Sequence, residues 1–247
     1  MLSSLFRGFS SPVRSLSIAG VRTFSNVLDD APADLQKKFV GFDFSPKMYE
    51  KIEVVMKKYP ETWSQCGILP LLDFAQRQCG GWVPHAAMKK IANLCHVSSA
   101  QVYEVSKFFS MINRRPVGKY HIHVCMTTPC MVTGGDDVLA ALEKHLGVKV
   151  GEVTADGLFS IGEMECMGCC ANAPMIAVAD YTSSDGEGYS YDYFEDLTPA
   201  KAVEIVESLR RGSHPAVGPQ NGRKNAEGIQ GRTTLKDFKA KPECRDL

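Results

Sequence analysis

Tyr120-His121-Ile122-His123-Val124-Cys125-Met126-Thr127-Thr128-Pro129-Cys130 is where the pattern of the chain changes. Tyr120, Ile122 and Val124 alternate with His121, His123 and Cys125, the period-two signature of a strand with one apolar face. The strand runs straight into a loop that carries a second cysteine. Upstream of this stretch the apolar residues recur at helical spacing. Downstream, short strands alternate with helices. The reading is therefore α+β, with an N-terminal helical bundle followed by an α/β layer.

Upstream, residues 29–43 read as an extended lead-in. Ser45 and Pro46 open a helix to Tyr59, with Ile52, Val55 and Met56 on its apolar face. A second helix over 63–78 is expected to kink at Pro70. A third runs from about Pro84 to Leu94, with Met88, Ile91, Ala92 and Cys95 in helical register. Ser98 or Ser99 caps a fourth. Residues 44–112 thus form the bundle, and 113–118 a linker. Downstream, a helix is expected over 134–146, strands over 148–153, 158–161, 175–179 and 189–194, and a last helix from Thr198 to Leu209. These make an α/β domain over 118–211. Residues 212–247 hold five glycines, three prolines and seven Lys or Arg against four acids. They read as an extended basic tail that gains order on a partner surface.

Charge and composition exclude some roles. Lys plus Arg and Asp plus Glu number 28 each, so nothing points to nucleic acid. No apolar run approaches the roughly 20 residues that span a bilayer, so no direct membrane insertion is expected. Residues 1–28 contain Arg7, Arg14, Arg22 and seven serines but no acid. Leu2, Leu5, Phe6, Phe9, Val13 and Leu16 recur at helical spacing. That combination reads as a mitochondrial transit peptide. There is no G-x-G-x-x-G element and no P-loop, hence no nucleotide site on the chain.

Apart from Cys244 in the tail, the nine cysteines fall into two classes. Cys66, Cys79 and Cys95 are isolated in apolar, helix-like surroundings and read as buried free thiols. Cys125 and Cys130 lie at the end of a strand, and Cys166, Cys169 and Cys170 in one loop. Four thiolates from two loops suit either zinc or a [2Fe–2S] cluster, and spacing alone leaves both open. A redox disulfide fits less well, because neither Cys125–Cys130 nor Cys166–Cys170 has C-x-x-C spacing. Gly168 and Gly162 are candidates for bringing backbone N–H groups to the sulfurs, and Thr127 and Thr128 for hydroxyl contacts. His121 and His123 read as surface or supporting residues.

Several long motifs, in order, carry a resemblance. Cys125-Met-Thr-Thr-Pro-Cys130 and Glu165-Cys-Met-Gly-Cys-Cys-Ala-Asn-Ala-Pro-Met175 are similar to the flavoprotein 2 family of NADH dehydrogenase, the small iron–sulfur subunit of respiratory complex I. So are Leu69-Pro-Leu-Leu-Asp-Phe-Ala-Gln-Arg-Gln78, Arg115-Pro-Val-Gly-Lys-Tyr-His121 and Tyr193-Phe-Glu-Asp-Leu-Thr-Pro199. The resemblance covers about residues 40–212, with Gly231-Arg-Thr-Thr-Leu235 resembling the family's tail. It implies a thioredoxin-like [2Fe–2S] ferredoxin domain with one cluster on Cys125, Cys130, Cys166 and Cys170. Cys169 departs from the alanine usual there.

The resemblance further implies an electron-transfer subunit in the matrix-side peripheral arm of complex I. FMN and NADH would sit on the partner flavoprotein subunit, with other matrix-arm subunits nearby. No catalytic acid, base or nucleophile is expected on this chain. The competing readings are a zinc-stabilised structural module and the equivalent subunit of an NAD-linked hydrogenase or formate dehydrogenase.

Overall fold

The computed structural model describes residues 30–182, 189–228, 230, 231 and 234. The expected leader over 1–28 and most of the tail beyond 228 lie outside the described residues. In chain order the elements are α1 (Ala33–Lys37), α2 (Pro46–Met56), a 3-10 turn (Glu61–Gly67), α3 (Ile68–Gln78), α4 (His85–Cys95) and α5 (Ser99–Phe108). Then come β1 (Tyr120–Cys125), α6 (Thr128–Val132), α7 (Gly135–Leu146), β2 (Phe159–Met164), a 3-10 turn (Cys170–Asn172), β3 (Ile176–Asp180), β4 (Ser190–Glu195), α8 (Pro199–Arg210) and β5 (Gly218–Pro219). No described helix is long and apolar enough to cross a membrane.

Local chemistry sets the helix ends. The Ser45 side chain accepts from Met48 N, with Pro46 in the first turn of α2. Ser98 and Gln101 form a reciprocal capping box on α5. The expected kink at Pro70 is absent. Helix α3 starts at Ile68, so Pro70 falls in the first turn, where its missing N–H costs nothing. The break lies just before, in the 3-10 turn, which leaves Cys66 exposed rather than buried. The lead-in is also not wholly extended, because Pro32 precedes the short helix α1. Helices α2 to α5 share a core of their own that includes Met48, Leu71, Leu72, Ile91 and Val102.

The sheet order is β2-β1-β3-β4-β5. β1 pairs parallel with β2 and antiparallel with β3, β3 antiparallel with β4, and β4 parallel with β5. On one face Ile122, Val124, Phe159, Ile161 and Val178 pack against Val138 and Leu142 of α7 and Ile205 and Val206 of α8. That face is the main core of the α/β layer.

The other face departs from the expected surface. His121 and His123 are 6% and 3% exposed, and every residue of β1 is buried. Gln76 Nε2 donates to the Tyr181 hydroxyl at 2.9 Å, the Arg77 guanidinium lies 4.1 Å from the Tyr189 ring centre, and His123 and Tyr191 sit 5.7 Å apart. The alternation does mark a strand, but its second face is buried rather than exposed. The segment 148–153 forms no strand. It folds back along β2, with Gly151 N donating to Ile161 O at 2.8 Å and Thr154 N to Phe159 O at 2.9 Å. A single bridge joins Val153 to Ser160.

Gly118 marks the tightest approach between the two parallel strands. A Cβ there would stand 2.5 Å from the Phe159 carbonyl carbon and 2.8 Å from Ser160 N, both backbone atoms. Gly118→Ala is therefore expected to lose about 1–3 kcal/mol of stability. Thermal unfolding followed by circular dichroism should show a melting temperature lower by about 3–10 °C.

Candidate metal centre

Parallel pairing decides where the cysteines meet. In the β1–β2 register Cys125 stands opposite Met164, so both strands end on the same edge of the sheet. The loop after β1 holds Cys130, and the loop after β2 holds Cys166, Cys169 and Cys170. Loops at the carboxyl ends of adjacent parallel strands are the usual place for a site in an α/β layer.

The first loop is rigid. Met126 N donates to Met164 O at 3.1 Å, and Cys125 N to Met175 O at 3.4 Å. The short helix α6 then turns Cys130 inward. Thr133 Oγ1 donates to the Pro129 and Cys130 carbonyls at 2.8 and 3.1 Å. Gly135 lets α7 start beside this turn, since a Cβ there would lie 2.9 Å from Cys130 O. Cys125 and Cys130 are 2% and 1% exposed, in a shell with Met175, Met167, Cys169, Ala173 and Tyr193.

The second loop is open. Gly168 has a φ of +90°, which favours glycine, and its N–H points at the Cys166 sulfur at 3.4 Å. The Cys166 and Cys170 sulfurs stand 3.2 Å apart, and both residues are exposed. Cys169 packs against the shell of Cys125 and Cys130, and its thiol donates to Glu195 Oε1 at 3.4 Å. Gly162 does not serve the sulfurs. It makes room for the imidazoles, because a Cβ there would be 3.0 Å from His121 Cε1 and Nε2.

Electrostatics sets Cys130 apart from Cys166. Burial pushes the Cys130 thiol up to about 12, helped by the hydrogen bond to Cys125. The Cys166 thiol is lowered by its hydrogen bond with Cys170 and by the Gly168 N–H. Burial raises Cys169 to about 11, and Glu195 adds to the rise, so it stays a neutral donor. Burial also lowers His121 to about 4, and His123 goes well below the ordinary histidine range. Both rings are neutral. His121 Nδ1 shares a 2.7 Å hydrogen bond with Ser160, while His123 Nδ1 has no partner among the described residues.

The donor set tests the two metal readings. Zinc needs four sulfurs about 2.3 Å from one point. Among the described residues no three His, Cys, Asp or Glu side chains converge on a single ion position. Cys125 bonds to Cys130 and Cys166 to Cys170, which makes two pairs. Two pairs suit two irons, each taking two terminal thiolates. Four thiols from two loops at one sheet edge fit a [2Fe–2S] group, two to each iron. In metal-free chain near neutral pH, iodoacetamide should alkylate Cys166 at least about tenfold faster than Cys130, because the thiolate is the nucleophile. Mass mapping of the labelled peptides checks this, and equal rates would contradict the burial and charge just described.

The family model "Thioredoxin-like [2Fe-2S] ferredoxin" matches residues 52–210. The mitochondrial NADH dehydrogenase [ubiquinone] flavoprotein 2 of Dictyostelium discoideum is 40% identical over 83% of this chain and 78% of its own length. An NADH-quinone oxidoreductase subunit of Rickettsia bellii is 43% identical over 71% of this chain and 99% of its own. Among solved structures, an NAD+-reducing [NiFe]-hydrogenase in the H2-reduced state is 17% identical with a TM-score of 0.46, over 59% of this chain and 22% of that one. A family match across most of the sheet and the helices before it, together with relatives aligned along most of their own lengths, means that the chain belongs to the thioredoxin-like [2Fe–2S] ferredoxin family, in its NADH dehydrogenase flavoprotein 2 branch.

Proposed function

We propose that this chain is an electron-transfer subunit of the NADH-oxidising module of respiratory complex I, acting within NADH:ubiquinone oxidoreductase. The observation that carries the reading is the pairing of thiols at one sheet edge: Cys125 with Cys130, and Cys166 with Cys170. When bound, a [2Fe–2S] cluster stores and releases one electron at a time. The reading places FMN and NADH on a partner flavoprotein subunit, since a flavin is needed to split the hydride's electron pair. It places residues 1–28 as a leader to the mitochondrial matrix, and the chain in the peripheral arm beside other matrix-arm subunits.

The chain's own residues have distinct tasks in this reading. Cys125 and Cys130 would hold the cluster from inside an apolar shell. Cys166 and Cys170 would hold it from the surface, where a redox partner can come near. Gly168 N–H is directed at the Cys166 sulfur, a contact of the kind that tunes iron–sulfur potentials. Cys169 stays a spectator because its thiol is engaged by Glu195. Neutral His121 and His123 add no charge beneath the site.

Two experiments test this. The purified chain should be brown, with visible absorption that dithionite bleaches. Serine in place of Cys125, Cys130, Cys166 or Cys170 should each damage that signal, while Cys169→Ala keeps it. A colourless, zinc-loaded protein would refute the cluster, and loss of the signal in Cys169→Ala but not in Cys170→Ala would reassign the outer ligand. The isolated chain, free of flavin and partner, should also show no NADH oxidation with an artificial acceptor; measurable turnover would overturn the placement of the nucleotide chemistry on another subunit.

A further inference from the structure

The turn that carries Cys170 is held by residues from far along the chain. After α8, the segment from Gly212 reads in sequence as an extended tail in need of a partner. Residues 218–225 contact this chain itself. β5 pairs with the end of β4, and Gln220 N donates to Glu195 O at 2.9 Å. Arg223 then reaches across to the cysteine loop. Its Nη1 donates to the Ala171 carbonyl at 3.1 Å and to Asn172 Oδ1 at 2.9 Å, and its Nη2 pairs with Asp196 Oδ1 at 3.2 Å.

The partners of Arg223 are themselves tied down. Asn172 is 2% exposed. Its Nδ2 donates to Glu195 Oε2 and to the Asn225 carbonyl, and its own N–H donates to Cys169 O at 2.9 Å. Asp196 N donates to Asn172 O at 2.7 Å, with Asp196 held at a φ of +52°. The Arg223 and Asp196 side chains are 17% and 10% exposed. A guanidinium suits this place because its planar fork sets donors on separate nitrogens, Nη1 toward the turn and Nη2 toward Asp196, whereas an ammonium has its donors on one nitrogen. Ala171 O is on the residue next to Cys170, so a shift of the fork is passed directly to that sulfur.

We propose that Arg223 is a positioning residue for the outer thiol pair, and that residues 218–225 form a clasp that sets the turn Cys170–Asn172; this rests on reading the four cysteines as the cluster site. The clasp fixes the Cys170 sulfur relative to Cys166. Opening it speeds loss of the cluster and alters its redox potential. An ordinary packing contact would change global stability alone.

The test uses the full chain with its cluster, as wild type, Arg223→Lys, Arg223→Gln and, as a control on an exposed neighbour, Lys224→Ala. Three quantities are read: the rate of bleaching by an iron chelator, the midpoint potential, and amide hydrogen exchange at residues 170–172. Both Arg223 variants are expected to bleach about tenfold or more faster than wild type. They should also shift the potential and exchange faster at the turn while β1 and β3 stay protected. Lys224→Ala should match wild type. If both variants match wild type in all three readouts, or if Arg223→Lys restores all three, the clasp is wrong. Should the Arg223 variants fail to fold, Asp196→Asn removes only the counter-charge and is expected to give a smaller change of the same kind, with no change counting against the proposal. A wild-type chain that holds no cluster would end the reading of the site, and the exchange comparison on metal-free chain would still judge the clasp.

Discussion

Everything at the metal centre depends on two strands running the same way. β1 and β2 are adjacent and parallel, and their register sets Cys125 beside Met164. Antiparallel pairing would send the two cysteine loops to opposite edges of the sheet. Parallel neighbours require a long crossover, and α6 and α7 provide it. Gly118 is the local expression of that requirement, since only a residue without a side chain fits against the start of β2.

The pairing also explains why the two thiol pairs differ. β1 is a central strand, covered on both faces, so the loop leaving it begins inside the protein. The loop after β2 leaves from an outer strand and stays open to solvent. Position in the sheet, more than the identity of neighbouring residues, makes one pair buried and the other accessible. Cys169 illustrates the point. It is one residue from Cys170, yet its direction within the turn commits it to Glu195.

Much of this is legible from pattern. The capping signals at Ser45 and Ser98, the period-two run at Tyr120 and the helical stripe of α7 describe local preferences that the tertiary structure leaves in place. What is not legible depends on distant partners. Nothing in the pattern of His121 and His123 shows that they are buried, with Ser160 on one ring and Tyr191 beside the other, so a polar face reads as a wet one. Pro70 reads as a kink because the helix start before it has no side-chain cap to announce it. The cysteine spacing leaves zinc and iron–sulfur equally open, and the separation into pairs emerges only in three dimensions. Arg223 carries no signal at all, since it sits among glycines and polar residues that look like a tail.

The segment after α7 that does not become a strand has a different consequence. β2 lies at one end of the sheet order, and a strand in that position ordinarily offers unpaired N–H and C=O groups to any passing chain. Residues 151–154 occupy those groups through Gly151, Val153 and Thr154 without extending the ladder. At the opposite end Pro219 closes β5, because a proline has no N–H to offer a further strand. The sheet is thus blunted at both margins, which discourages the edge-to-edge association that leads open sheets into aggregates.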